Sequence, residues 1–131
     1  PKAFGFNVPD DSAKPEEQNE AKASGAFTIL LSKDNHVYFY EGQLLPDGSN
    51  FKSSSFSEIR KELLRKKDNT PEKDLVVIVK PGELANYKNL VDILDEVQIA
   101  DIGRKAVVDV NEAEKTFIEL TEGPAPPAGT K

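Results

Sequence analysis

An α+β fold is predicted for this chain: β-β-α-β-α-β, two helices packed on one face of a small mixed sheet, and a short C-terminal helix. Three observations predict it. Residues 26–42 read as two short strands joined at a tight turn. The run "LVVIV", 75–79, is continuously apolar and bounded by turn signals, as a strand covered on both faces would be. Amphipathic stretches with helical spacing begin near Ser55 and Asn86, on either side of that run, and can cover one face of a sheet.

The first strand is "AFTILLS", 26–32, rich in β-branched and aromatic residues. Asp34 and Asn35 follow; both tolerate the positive φ that a tight hairpin requires. "HVYFYEG", 36–42, alternates, with Val37 and Phe39 on one face and His36, Tyr38 and Tyr40 on the other. Polar residues 46–54 read as a loop. The first helix starts near Ser55, because Ser55-x-x-Glu58 fits a capping box. Phe56, Ile59 and Leu63, with Leu64 beside them, form its apolar face, and Glu62 and Lys66 stand four apart in the favourable order. "KKDNTPEKD" ends it.

The second helix starts near Asn86. Its predicted inner stripe is Tyr87, Leu90, Val91, Leu94, Val97 and Gln98, with Lys88, Asn89, Asp92, Asp95 and Glu96 facing away. "IGRKAVVDV", 102–110, gives another strand centred on Val107 and Val108, parallel to 75–79, with the second helix as the crossover. In "NEAEKTFIEL", 111–120, Asn111-x-x-Glu114 resembles a cap, and Ala113, Phe117 and Leu120 have helical spacing. A short helix is predicted, with a final strand as the alternative, because Thr116, Ile118 and Leu120 also alternate.

Outside residues 26–121 the composition changes. "NVPDDSAKPEEQNEAKASG" is polar and without apolar period, so residues 1–25 are expected to be a flexible tether. The Pro-rich end, 122–131, is expected to be an unstructured tail. The domain between them can bury roughly two-thirds of its unfolded surface. The chain begins with Pro and contains no Met, from which a trimmed or processed piece is expected.

No stretch approaches the roughly 18 consecutive apolar residues of a membrane span. The absence of Cys removes disulfides, thiol catalysis and Cys-based metal sites. The net charge of −6 argues against nucleic acid as a partner, because such binding needs clustered positive charge. Arg60, Lys61, Arg65, Lys66 and Lys67 do cluster, and read as a solvated helix face suited to the negative end of the helix dipole.

The search for chemistry finds little. His36 is the single histidine and reads as an exposed turn residue without the partner a catalytic histidine needs. Asp92, Asp95 and Glu96 fall on the exposed helix face. Asp109 is the best-placed carboxylate, with a helix cap as its plainer role. Gly82 and Gly103 stand singly, and "KPGELANYKN" fits neither phosphate-binding pattern. No metal-ligand spacing appears. Neither a metal nor a cofactor is expected, and the chain is not expected to be an enzyme.

The order of elements carries a resemblance. An apolar strand, a short polar loop and then "YKNLVDILDEVQIADIG", 87–103, resemble the ExbD/TolR family of biopolymer-transport proteins, through Tyr87, Leu90, Val91, Leu94, Asp95, Ile102 and Gly103. "FTILLSKDNHVYFYEGQLL" resembles the first hairpin of that family, and "FNVPDD", 6–11, resembles the element that follows its single transmembrane helix. The resemblance covers residues 4–110. The tyrosine-rich hairpin is more similar to the ExbD side than to the TolR side.

That resemblance implies a single-pass inner-membrane protein whose periplasmic part is this chain. Its transmembrane helix, with a proton-carrying Asp, would precede Pro1 and work beside an ExbB-like channel subunit. The domain, as a homodimer, would pass motion to a TonB-like partner and so energise outer-membrane transport. Tyr87 and the segment Asn7, Val8 and Pro9 would serve partner binding. A TolR-type adaptor that binds peptidoglycan is the alternative. A different class, a small α/β enzyme or ligand-binding domain, would need a polar pocket lined by Asp109 and Tyr87.

Overall fold

The computed structural model describes residues 24–123. The expected tail beyond 123 and most of the expected tether, including Asn7, Val8 and Pro9, lie outside the described residues. In chain order the elements are β1 (Ala26–Leu31), β2 (Val37–Glu41), β3 (Lys52–Ser54), α1 (Ile59–Asp68), β4 (Val76–Pro81), α2 (Tyr87–Ile99), β5 (Lys105–Val107) and α3 (Glu112–Glu122). The strands form one sheet in the order β3-β2-β1-β4-β5. β1 pairs antiparallel with β2 and parallel with β4; β2 pairs antiparallel with β3, and β4 parallel with β5. The sheet is therefore mixed and the architecture α+β, as the sequence predicts.

The hairpin forms where expected. Asp34 and Asn35 have φ values of 57° and 63°, the left-handed region that short polar side chains tolerate. Residues 46–54 are not all loop, however: Lys52–Ser54 add an edge strand to β2. Three polar residues carry no apolar alternation to announce a strand, and a short, polar strand is what an exposed sheet edge favours. At the other edge the predicted strand 102–110 contracts to Lys105–Val107, although Val108 N–H still reaches Val79 O at 3.0 Å.

Strand alternation sorts the core into two layers. Phe27, Ile29 and Leu31 of β1, Val37 and Phe39 of β2, and Val77 and Val79 of β4 meet Ile59 and Leu63 of α1 and Ile93 and Val97 of α2. The rings of Phe27 and Phe39 stack with centroids 5.2 Å apart. On the opposite face Leu30, Tyr38 and Tyr40 meet Ile118 of α3, with Phe51, Leu44 and Val110 around them. Two helices do share one face, and the third closes the other, which accounts for the continuously apolar β4.

The helix phases differ from the predicted ones. In α2 the buried residues are Asn89, Ile93 and Val97, with Ala100 beyond its end; Gln98 is exposed and Tyr87 is 78% exposed. Asn86 sets this phase: its side chain accepts the Asn89 N–H at 2.8 Å, and Asn89 Nδ2 then donates to Asn35 Oδ1 at 2.7 Å. A polar residue with its hydrogen bonds made can turn inward. In α3, Glu114 and Ile118 point inward, while Ala113 and Leu120 are exposed. Ser55 Oγ accepts the Glu58 N–H at 3.2 Å, so the Ser55 half of the predicted box is made, although α1 starts only at Ile59. Lys66 does not pair with Glu62. It is buried and donates to Ser24 O at 2.5 Å, while Glu62 pairs with Arg65 at 2.9 Å.

Candidate functional site

The polar groups with the most structure around them lie under α3. The helix begins with a complete capping box: Asn111 Oδ1 accepts the Glu114 N–H and Glu114 Oε1 accepts the Asn111 N–H, each at 2.9 Å. Asp109, the cap expected from the sequence, is exposed and takes no part. Placing Glu114 at the third helical position turns its carboxylate onto the sheet, where it is fully buried. There its Oε2 accepts from Lys80 Nζ at 2.7 Å and from the Tyr40 hydroxyl. A buried carboxylate is tolerable because the capping N–H, the ammonium and the phenol together replace its water.

Two helical turns later Glu122 repeats the arrangement. Its Oε1 accepts from Ser32 Oγ at 3.1 Å, and its Oε2 accepts from the Tyr38 hydroxyl at 2.6 Å and lies 3.0 Å from His36 Nδ1. The histidine is half-exposed, as its turn position suggests, but it has a partner that the sequence does not reveal. Burial first, then the adjacent carboxylates, push the Tyr38 and Tyr40 hydroxyls well above the usual phenol range. Hydroxyls and imidazole converge on the carboxylate rather than on each other. Nothing here sets a base against a nucleophile, so the arrangement clamps a helix instead of activating an attacking group.

A second set of ion pairs ties α1 to its neighbours. Arg60 grips Glu96 through two nitrogens, at 2.6 and 3.2 Å. Arg65 reaches Glu41 at 2.6 Å, Lys66 reaches the same carboxylate at 3.2 Å, and Lys67 donates to Ala100 O at 3.0 Å. Burial alone would raise the Glu41 carboxyl, but the Arg65 and Lys66 cations hold it below the usual carboxylate range. Of the basic run, only Lys61 keeps to the expected solvated face; the others bridge elements of the fold.

Tyr87 does not pack at the core edge. It is the first residue of α2 and projects 120° or so away from the inward stripe at ~100° per residue; Leu84, three positions earlier, is 52% exposed. Neither Tyr87 nor Asp109 lines any of three cavities among the described residues. Those cavities lie under the end of α3 at the ends of β1 and β4, between β2, β3 and Glu122, and around Lys67 and Arg104. The sheet leaves β3 and β5 as its edges, and Val107 of β5 is 41% exposed.

Sequence reasoning missed Glu114, Glu122, Lys80 and Ser32 as one constellation. Partial signals existed. The cap Asn111-x-x-Glu114 was legible, and the alternation in β2 put two tyrosines on one buried face, where their hydroxyls need partners. What the sequence lacks is the pairing across 74 and 84 residues that brings α3 to those hydroxyls.

No helix among the described residues is long and apolar enough to cross a membrane. No curated protein matches the chain. A family model does: that described as biopolymer transport protein ExbD/TolR matches residues 2–111. The match stops at the cap of α3, so the helix that closes the second face of the sheet lies beyond it.

Proposed function

The chain belongs to the ExbD/TolR family of biopolymer transport proteins, and from that premise we propose that it is the periplasmic domain of an ExbD-like energy-transduction subunit. In this reading the subunit is a single-pass inner-membrane protein that works with an ExbB-like channel, and the domain, as a homodimer, couples that channel to a TonB-like partner. The domain makes and breaks no bond; it holds a partner and transmits displacement.

The observation that carries the reading is the exposure of Tyr87 at the start of α2, with Leu84 exposed three positions before it. A tyrosine 78% exposed at the start of a well-capped helix contributes little to folding. A rigid aromatic presented this way is suited to anchor a partner, since tyrosines are enriched where interfaces concentrate their binding energy. The sheet edges β3 and β5 offer backbone groups that an extended segment could pair with. Asn7, Val8 and Pro9 belong to the same proposal, as the segment that joins the domain to the membrane.

The test is a photo-crosslinker placed at position 87 in membranes that hold the whole assembly. The expected outcome is a crosslink to a TonB-like protein, together with loss of coupled transport in Tyr87→Ala without loss of the folded domain. Absence of any crosslink at 87, with co-sedimentation of the domain on purified cell wall, would replace this reading by the TolR-type adaptor.

A further inference from the structure

β4 and β5 are adjacent, parallel strands, and the helices that follow them go to opposite faces of the sheet. α2 packs with α1 on one face, and α3 packs on the other. Where neighbouring parallel strands send their connections apart, a crevice opens beyond their carboxyl ends, and such crevices are where open sheets of this kind bind ligands. One is present here. A cavity of about 190 Å³ lies beyond the ends of β1, β4 and β5, under the last turns of α3.

Its lining is amphoteric. Val110 and Ile118 supply apolar surface, and Leu84, 52% exposed, stands beside them. Lys33 and Lys115 bring two cations, and Glu83 and Glu119 two anions. Lys33, Glu83 and Glu119 form no ion pair among the described residues, and Lys115 meets only Glu112, at 3.6 Å on the exposed helix surface. Glu122, the remaining carboxylate in the wall, is already occupied by Ser32, His36 and Tyr38. Two unpaired anions, one unpaired cation and the weakly paired Lys115 thus border a small apolar space.

We propose that this cavity binds a small zwitterion with an aliphatic body, of the chemical class of a free branched-chain amino acid. Its carboxylate is taken by Lys33 and Lys115, its ammonium by Glu83 and Glu119, and its side chain by Val110, Ile118 and Leu84. The volume sets the size: pockets for drug-sized ligands begin near ~300 Å³, so the occupant is smaller than that class. The proposal stands apart from the partner-binding reading and shares with it only Leu84.

The experiment is a titration of the ¹⁵N-labelled 131-residue chain with leucine, followed by amide shifts. Three analogues run beside it: 4-methylpentanoate, isopentylammonium and N-acetyl-leucine amide. The expected result is a saturable shift confined to Ser32, Lys33, Gly82 and the α3 residues around Lys115. A Kd of about 1 mM is expected for so small a ligand, and affinity should fall about 10-fold in Lys33→Ala. Each singly charged or neutral analogue binds more weakly than leucine. Shifts that never saturate, shifts elsewhere, or equal binding of the neutral amide overturn the proposal. Retention of full leucine affinity in both Lys33→Ala and Lys115→Ala overturns it as well. These lysines are not buried and neither contributes to the apolar core, so loss of folding does not confuse the result.

Discussion

On one face of the sheet, α1 and α2 press Ile59, Leu63, Ile93 and Val97 against Phe27, Ile29, Val77 and Val79, every one of them fully buried. On the other face, α3 brings one buried apolar residue, Ile118, and holds its place through Glu114 and Glu122. The first face is closed by area removed from water, which is non-directional and accepts many sequences. The second is closed by hydrogen bonds to charge, which require one geometry. The aromatic ring of Phe117 adds to it, tilted on Phe51 at 5.8 Å, and Gly48 admits that ring: a Cβ there would lie 2.6 Å from Phe117. The family match covers the first face and its helices but ends before the second is closed. The packed layer therefore lies within the matched residues, whereas the clamp joins matched residues of the sheet to a helix beyond them.

The largest effect should come from the packed face. Phe27→Ala removes a fully buried ring stacked on Phe39, and should cost about 3–5 kcal/mol of stability. Urea unfolding measures it, and a loss below about 1 kcal/mol would show that this face tolerates voids as readily as the other.

The clamp should come next, with a different signature. Lys80→Met leaves Glu114 buried without its cation, a change expected to cost about 3 kcal/mol. Adding Glu114→Gln neutralises the orphaned charge and keeps one acceptor oxygen, which serves either Tyr40 or the cap. The double variant should recover part of the loss. If the double variant is less stable than Lys80→Met alone, packing rather than charge holds α3.

Asn111→Ala tests the clamp more gently. It removes the acceptor for the Glu114 N–H and should cost about 1 kcal/mol, with faster amide exchange confined to α3. Exchange that rises equally in α1 and α2 would mean the two faces open together.

The smallest effect is set by pH. Tyr38 and Tyr40 have folded-state pKa values above the ordinary phenol value of about 10. A raised pKa means the stability these groups provide is complete below about pH 10 and drains away as pH climbs toward the raised values. Unfolding midpoints should thus fall on going from about pH 9 to about pH 11, and fall less in Tyr38→Phe. An equal fall in both would place the alkaline sensitivity outside the clamp.

Much of the fold could be read from local pattern. The hairpin at Asp34-Asn35, the buried run 75–79 and the capped helix after Asn111 each depend on residues within a few positions of one another. The helix faces were less legible. A search for apolar residues at helical spacing puts Tyr87 and Gln98 inward in α2, whereas the Asn86 cap and the Asn89–Asn35 bond rotate Asn89 and Ile93 inward instead. The edge strand Lys52–Ser54 has no side-chain signal at all and exists because β2 offers it a ladder.

The sequence by itself determined the α+β order, the strand faces and the family, because alternation, turn chemistry and capping are local. Tertiary structure decided what the charged residues do. From the sequence Glu114 reads as a cap partner and Glu122 as the start of a tail; both change meaning once α3 extends to Glu122 and lies on the sheet face opposite α1 and α2, where Lys80, Tyr40, Tyr38 and Ser32 await them. Lys33, Glu83 and Lys115 come to one cavity only because β4 and β5 send their helices to opposite sides. Charge has no periodic signature of its own, and its meaning depends on distances that only the folded chain sets.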